Sequence, residues 1–214
     1  HRPCRHSSPL PRPVTAVYAA QSRVYDGTTQ AAVNASSSDI VSGDSLTIAA
    51  TGSFSGTGAK NVGANKTVDI SAGTLTGADA SNYSLLNATG TTTASITPRT
   101  LTATYVGVSR VYDGTTTAPV TRNLAGQVQG DDVTAAETAE FAGGSTAKSV
   151  GTGKAVLVTG ITLSGADAAN YSLLSNSAST TGTITPRALT VSGLSGITAV
   201  DRVYDGTLAV SLNV

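Results

Sequence analysis

A tyrosine, an aspartate and a glycine stand side by side at Tyr25, Asp26 and Gly27. The same letters return at Tyr112, Asp113 and Gly114, and again at Tyr204, Asp205 and Gly206. A phenol next to a carboxylate can hydrogen-bond a polar ligand, and a glycine beside them lets a backbone approach closely. The tripeptide can equally be a turn: the aspartate accepts backbone N–H groups, the glycine takes a positive φ, and the tyrosine ring packs on the end of a folded unit. Because "AAV" or "APV" follows, where a new strand must begin, the turn is the expected role.

Other chemistry finds less support. Catalysis needs a nucleophile with a positioned base, or two paired acids. No histidine or cysteine occurs beyond His6, and nothing in the spacing of Asp26, Asp39, Asp44, Asp69 and Asp79 selects a pair. No enzyme is expected. The loops "YDG", "SGD" and "GADA" hold acids among backbone carbonyls, but the dense ligand runs of calcium loops are missing. No cofactor is therefore expected, with calcium between domains as a minor alternative, and Asp44 beside Gly43 is read as closing a hairpin. Lys60 and Lys66, matched by Lys148 and Lys154, occur with Asn82 and Asn170, the residue types of a Lys–Asn isopeptide bond. Their plainer role is charge on an edge strand that discourages aggregation. Asn34, Asn65, Asn82, Asn87 and Asn170 each open an N-x-Ser/Thr triplet, which a Ser/Thr-rich chain produces by chance.

Composition narrows the classes further. Lys+Arg and Asp+Glu are balanced at 13 each in 214 residues, which leaves no field to hold nucleic acid or an anionic membrane surface. Neither partner is expected. Only 12% of residues are charged, yet Val, Ile and Leu are spread evenly, so the chain should fold around small cores. The lone cysteine, Cys4, excludes an internal disulfide and lies with His1 and His6 in a basic N-terminal tract, residues 1–13. That tract is read as a frayed end, with metal chelation as the alternative. Lacking methionine, the chain is expected to be part of something longer.

A repeat organises the rest. Tyr25 and Tyr112 are 87 positions apart, Tyr112 and Tyr204 are 92 apart, and "PRPVTAVYAAQSRVYDGTT" lies without a gap over "PRTLTATYVGVSRVYDGTT". "GDSLTIAATGSF" overlays "GDDVTAAETAEF", and "LTGADASNYSLL" overlays "LSGADAANYSLL". Two complete units follow, residues 14–98 and 101–186, with the start of a third at 188–214. Units of this length are autonomous domains rather than solenoid turns.

Inside each unit the apolar period is two. Leu46 and Ile48, Val68 and Ile70, and Leu101, Ala103 and Tyr105 share faces, between Gly, Asn, Asp and Ser clusters. The reading is all-β. Asp167, Ala169, Tyr171 and Leu173 keep the D-x-A-x-Y-x-apolar spacing of the tyrosine corner of immunoglobulin-like sandwiches, and Asp79, Tyr83 and Leu85 repeat it. Small antiparallel immunoglobulin-like sandwiches are the expected units. A β-grasp unit is the alternative, with "GADASNY" as one helical turn. "ITPRTLTATY" joins the units with proline and no flexible spacer, so a semi-rigid rod is expected.

On "VYDGTT", "GADAxNYSLL" and "ITPRxLT" the chain resembles the YDG-type repeats of large bacterial surface and secreted adhesins, such as the filamentous-haemagglutinin-like exoproteins. The resemblance implies an extracellular stalk or spacer whose partners are neighbouring repeats, with host protein or glycan bound by other regions. A directly ligand-binding module and an accessory domain of a secreted hydrolase are the competing readings. Sugar platforms need stacked rings, whereas most of the 7 Tyr and 2 Phe recur at matched positions as core residues would.

Overall fold

The computed structural model describes residues 9–190 without a break and, beyond them, 198–199, 201, 203, 206 and 212–213. His1, Cys4, His6, Tyr204 and Asp205 lie outside the described residues, as does most of the third repeat.

The first unit contains β1 (Arg12–Val14), β2 (Val17–Ala20), β3 (Arg23–Val24), β4 (Gln30–Ala31), β5 (Val33–Ser36), β6 (Thr47–Phe54), β7 (Gly63–Thr76), β8 (Tyr83–Leu85) and β9 (Gly90–Thr97). Its main sheet runs β3-β9-β7-β6-β4, while β2 pairs with β5 and β1 with β8. The second unit repeats this with β10 (Arg99–Gly107), β11 (Arg110–Val111), β12 (Val120–Ala125), β13 (Thr134–Phe141), β14 (Gly151–Ser164), β15 (Tyr171–Leu173) and β16 (Ala178–Thr185). Here one long strand, β10, does the work of both β1 and β2, pairing with β12 on one side and β15 on the other.

The alternation read from sequence builds the core. On β6, Ile48 and Phe54 face inward and the threonines and serine face out; on β7, Val68 and Ile70 do the same. Tyr18, Ala20 and Val33 of the small β2–β5 pair cover this apolar face. Leu101 and Tyr105 are buried on β10, with Ala103 half-buried between them.

One expectation changes. The sheets are mixed rather than purely antiparallel: β1 runs parallel to β8, β3 to β9, β10 to β15 and β11 to β16. A period of two marks which face a side chain takes and carries no information on strand direction. The chain is all-β in two repeat units, and the short helical turn that a β-grasp unit implies occurs as single 3-10 turns at Ala80–Asn82 and Ala168–Asn170.

The β6–β7 register shifts between Ala49 and Thr51, and Ala72 on the partner strand has φ +53°. Its counterpart in the second unit is Gly160, at φ +64°. This is a bulge that shifts the inward parity of β7, and only one unit supplies the residue that suits it. Ala72→Gly should therefore stabilise the chain by about 1 kcal/mol, measured as a higher urea midpoint at unchanged m-value. A lower midpoint would remove the bulge argument.

Candidate functional site at the joint between repeats

The tripeptide first builds a local turn. The Thr28 N–H and hydroxyl both donate to Asp26 Oδ1 at 2.8 Å, and Gly27 has φ +80°. Arg23 pairs with Asp26, donates to the Thr28 carbonyl at 2.6 Å and lies over the Phe54 ring at 5.4 Å. In the second unit Thr115 donates to Asp113 at 2.9 and 2.8 Å, Arg110 lies over Phe141 at 5.4 Å, and Gly114 has φ +83°. Burial pushes the Asp26 carboxyl up, but the Thr28 donors and Arg23 outweigh it and hold it below the usual range. For Asp113 the Thr115 N–H leads the same downward shift.

The corner motif forms a second local structure. Asp79 accepts the Ser45 N–H at 2.8 Å, and Asp167 accepts the Asp132 N–H at 3.0 Å. The Tyr83 hydroxyl accepts the Val41 N–H at 3.0 Å and donates to Asp44 Oδ2 at 2.5 Å. Tyr171 does likewise with Val128 at 2.9 Å and Asp131 at 2.6 Å. In the immunoglobulin corner the hydroxyl returns to a backbone carbonyl. Here the hydroxyl accepts a backbone N–H and donates to an aspartate, so Asp44 does more than close a hairpin.

Turn and corner then meet across the boundary. The Tyr25 hydroxyl donates to Asp131 Oδ2 at 2.9 Å, the oxygen that already accepts from Tyr171. The two rings stand edge to face, centroids 5.4 Å apart at 75°. Asn170, 3% exposed, accepts the Val62 N–H at 2.9 Å, and Lys60 lies 3.8 Å from Asp167. Tyr25 is fully buried, in one apolar cluster with Phe54, Val68 and Ile96 of its own unit and Leu101, Val133 and Tyr171 of the next. The first unit's core thus extends into the second, which also has a cluster of its own around Tyr105, Phe141, Val156, Val158 and Ile184. The two units touch because Pro98 alone separates β9 from β10, which brings Leu101 into the cluster that holds Tyr25.

A family model for the YDG domain matches the chain twice, over residues 10–94 and 97–181. The chain belongs to the YDG domain family. Neither a curated protein nor a solved structure matches it. The YDG tripeptide of the first repeat thus has two functions in this chain: Asp26 and Gly27 shape a turn, and Tyr25 reaches the following YDG repeat. In the second repeat Asp113 and Gly114 shape the same turn, and Tyr112 is only half-buried. Lys66 donates to the Gly58 carbonyl at 2.9 Å, and Lys154 to that of Thr146 at 2.9 Å. Asp131 is the joint residue that sequence reasoning left without a role, while Asn170 and Lys60 were read for an isopeptide bond, edge charge or a glycosylation triplet and not for the joint. The available signal was their recurrence, since Asp44 and Asn82 match Asp131 and Asn170.

The buried phenols give the YDG joint a pH dependence. Burial first, then the bond to Asp131, pushes Tyr25 and Tyr171 up from their ordinary value; the bond to Asp44 raises Tyr83. The folded chain therefore keeps these protons at a pH where the unfolded chain has released them. Stability should be intact below the ordinary tyrosine value of about 10 and fall as pH rises above it. Melting temperatures from pH 8 to 12 check this. A profile flat through the alkaline range, or an unchanged one in Tyr25→Phe, would contradict it.

Proposed function

We infer that the chain is a spacer section of an extracellular bacterial adhesin or secreted fibre, in which YDG repeats in series hold a binding region away from the surface that carries it. The single observation behind this reading is the joint. A buried Tyr25–Asp131–Tyr171 cluster fixes one repeat on the next, with Pro98 as the only linker. A flexible tether would need neither a buried phenol nor a shared carboxylate at its boundary. In this reading each unit does what an immunoglobulin-like sandwich does in other stalks, and consecutive units form a semi-rigid rod.

The supply of rings favours the stalk over direct ligand binding. Tyr25, Phe54, Tyr83, Tyr105, Phe141 and Tyr171 are all buried. A groove of about 350 Å³ beside the first turn is lined by Asp26, Gln30, Ala31, Ala32, Val33, Ala50, Thr51 and Gly52. It offers no ring on which a sugar could stack. Two measurements on the full chain test the reading. Small-angle scattering should give a single extended profile, which broadens when a Gly/Ser segment is inserted after Thr97. Arrays of glycans and matrix proteins should show no saturable binding. A compact, insertion-insensitive profile would overturn the rod, and saturable binding lost on Gln30→Ala would favour the ligand-binding alternative.

A further inference from the structure

The tripeptide contains a reactive pair of its own. In Asp26–Gly27 and Asp113–Gly114 a carboxyl precedes a glycine, which has no side chain to shield its backbone nitrogen. That nitrogen can attack the aspartate Cγ: the N–Cγ bond forms, the amide proton and the carboxyl hydroxyl leave together as water, and a five-membered succinimide closes. A second water opens the ring at either carbonyl and returns aspartate or β-linked isoaspartate, with no change of oxidation state. Solvent is the only co-reactant, and it reaches both sites, since the Asp26 and Asp113 side chains are 47% and 49% exposed. Burial does not protect them.

Three donors converge on one oxygen of each carboxylate. Asp26 Oδ1 accepts the Thr28 N–H and the Thr28 hydroxyl, both at 2.8 Å, and the Arg23 guanidinium. Asp113 Oδ1 accepts the Thr115 N–H at 2.9 Å, the Thr115 hydroxyl at 2.8 Å and the Arg110 guanidinium. Each arginine is itself fixed, by a 2.6 Å bond to the carbonyl of the same threonine and by its phenylalanine ring. Bonds of this kind favour the anion. Ring closure needs the protonated carboxyl and ends in a neutral imide, so it forfeits the attraction of all three donors. It also requires Cγ to swing onto the glycine nitrogen, a rotation that the threonine and arginine bonds resist.

We propose that the Arg–Asp–Thr clamp of each YDG turn protects its own Asp–Gly bond from cyclisation, and that Asp26 and Asp113 are latent isoaspartate sites, modified only where the clamp is open. Isoaspartate would add a methylene to the main chain at the turn and place the carboxylate directly on Cα, so the acceptor could no longer meet its three donors. The damage would therefore be self-sustaining, because a turn once altered cannot rebuild the clamp. Arg23, Thr28, Arg110 and Thr115 thus preserve the turn chemically as well as shape it. The proposal goes beyond the spacer reading and does not rest on it.

A folded backbone slows cyclisation by itself, so the clamp has to be separated from overall stability. The two turns make this possible within one molecule: a change at one clamp leaves the other as its internal reference. Thr115 is exposed, and Thr115→Val keeps its shape while removing only the hydroxyl donor. Ile48, buried on β6 outside the cluster around Tyr25, supplies a variant that weakens packing without touching either clamp.

Ageing the full chain in mildly acidic buffer, with isoaspartate at each site read by electron-transfer dissociation of its peptides, tests the proposal. Both sites should form isoaspartate at least tenfold more slowly in the folded chain than in the same chain held in urea. Thr115→Val should raise the rate at Asp113 several-fold and leave Asp26 at the parent rate; Thr28→Val should do the reverse. Arg110→Gln should raise the Asp113 rate at least tenfold, whereas Thr115→Ser, which keeps the hydroxyl, should age like the parent. Ile48→Val should lower the urea midpoint and change neither rate. Equal rates in the folded and urea-held chain, clamp variants that age like the parent, Thr115→Ser that ages like Thr115→Val, or rates that follow the unfolding midpoint at both sites alike would each overturn the proposal. None of these outcomes would disturb the internal joint or the spacer reading.

Discussion

Tyr25→Ala should destabilise the chain by about 3–5 kcal/mol, the range for removing a buried aromatic side chain. Tyr112→Ala, the same change at the matching position, should cost less than about 2 kcal/mol, since a half-buried side chain gives up less contact. The two tyrosines stand on identical turns, so the difference isolates what the neighbouring repeat adds. Tyr25 loses its edge-to-face contact with Tyr171, its bond to Asp131 and its place between Phe54 and Leu101. It also leaves a half-buried carboxylate oxygen with one phenol fewer. Urea denaturation of the full-length variants reads both costs. Equal losses would mean that Tyr25 is held by its own unit and that the second repeat is incidental to it.

The second large effect falls on the corner. Gly165 precedes the 3-10 turn that presents Tyr171, and it has φ +114°. A Cβ there would lie 2.4 Å from the Asp132 carbonyl oxygen, a backbone atom that cannot rotate aside. Gly165→Ala combines torsional strain with that clash and should cost about 3 kcal/mol or more. The damage should reach the joint, because Asp132 and Asp167 exchange backbone and side-chain bonds beside Asp131. Gly114 is the control. It has φ +83°, but its Cβ would meet only the Tyr112 hydroxyl, at 3.9 Å, so Gly114→Ala should show the torsional cost alone, about 1–2 kcal/mol. Denaturation midpoints that rank Gly114→Ala as the worse variant would contradict the steric account of the corner.

The repeat, the β class and the strand faces were legible because they depend on neighbours in sequence. Ile48 and Phe54 alternate with polar residues on β6, and Asp26 finds its donor two residues away at Thr28. What is carried by distant pairs was not legible. Tyr25 meets an acid 106 residues away and Val62 meets Asn170 at a separation of 108. A repeated sequence offers each of these groups two equivalent partners, Asp44 or Asp131, and letters alone do not choose between the same repeat and the next. The choice is made by the one-residue linker at Pro98, which points the end of one unit at the corner of the following one. Strand direction was hidden for a related reason: β1 and β8 are joined by nearly the whole unit, a crossover long enough for either orientation. The bulge at Ala72 was masked because alanine stands where the second unit uses Gly160.

The bond between Tyr25 and Asp131 is the contact that turns two domains into one joined element, and a double-mutant cycle measures it most directly. Tyr25→Phe, Asp131→Ala and the combined variant should be compared with the parent chain by urea denaturation at pH 7. Asp131→Ala removes the acceptor of both Tyr25 and Tyr171, so it should be the more damaging single change. The two losses should fall short of additivity by about 1–2 kcal/mol, the worth of a part-buried bond to a charged acceptor. Additive losses would mean that Tyr25 and Asp131 act independently, and the repeats would then be neighbours in sequence without a joint between them.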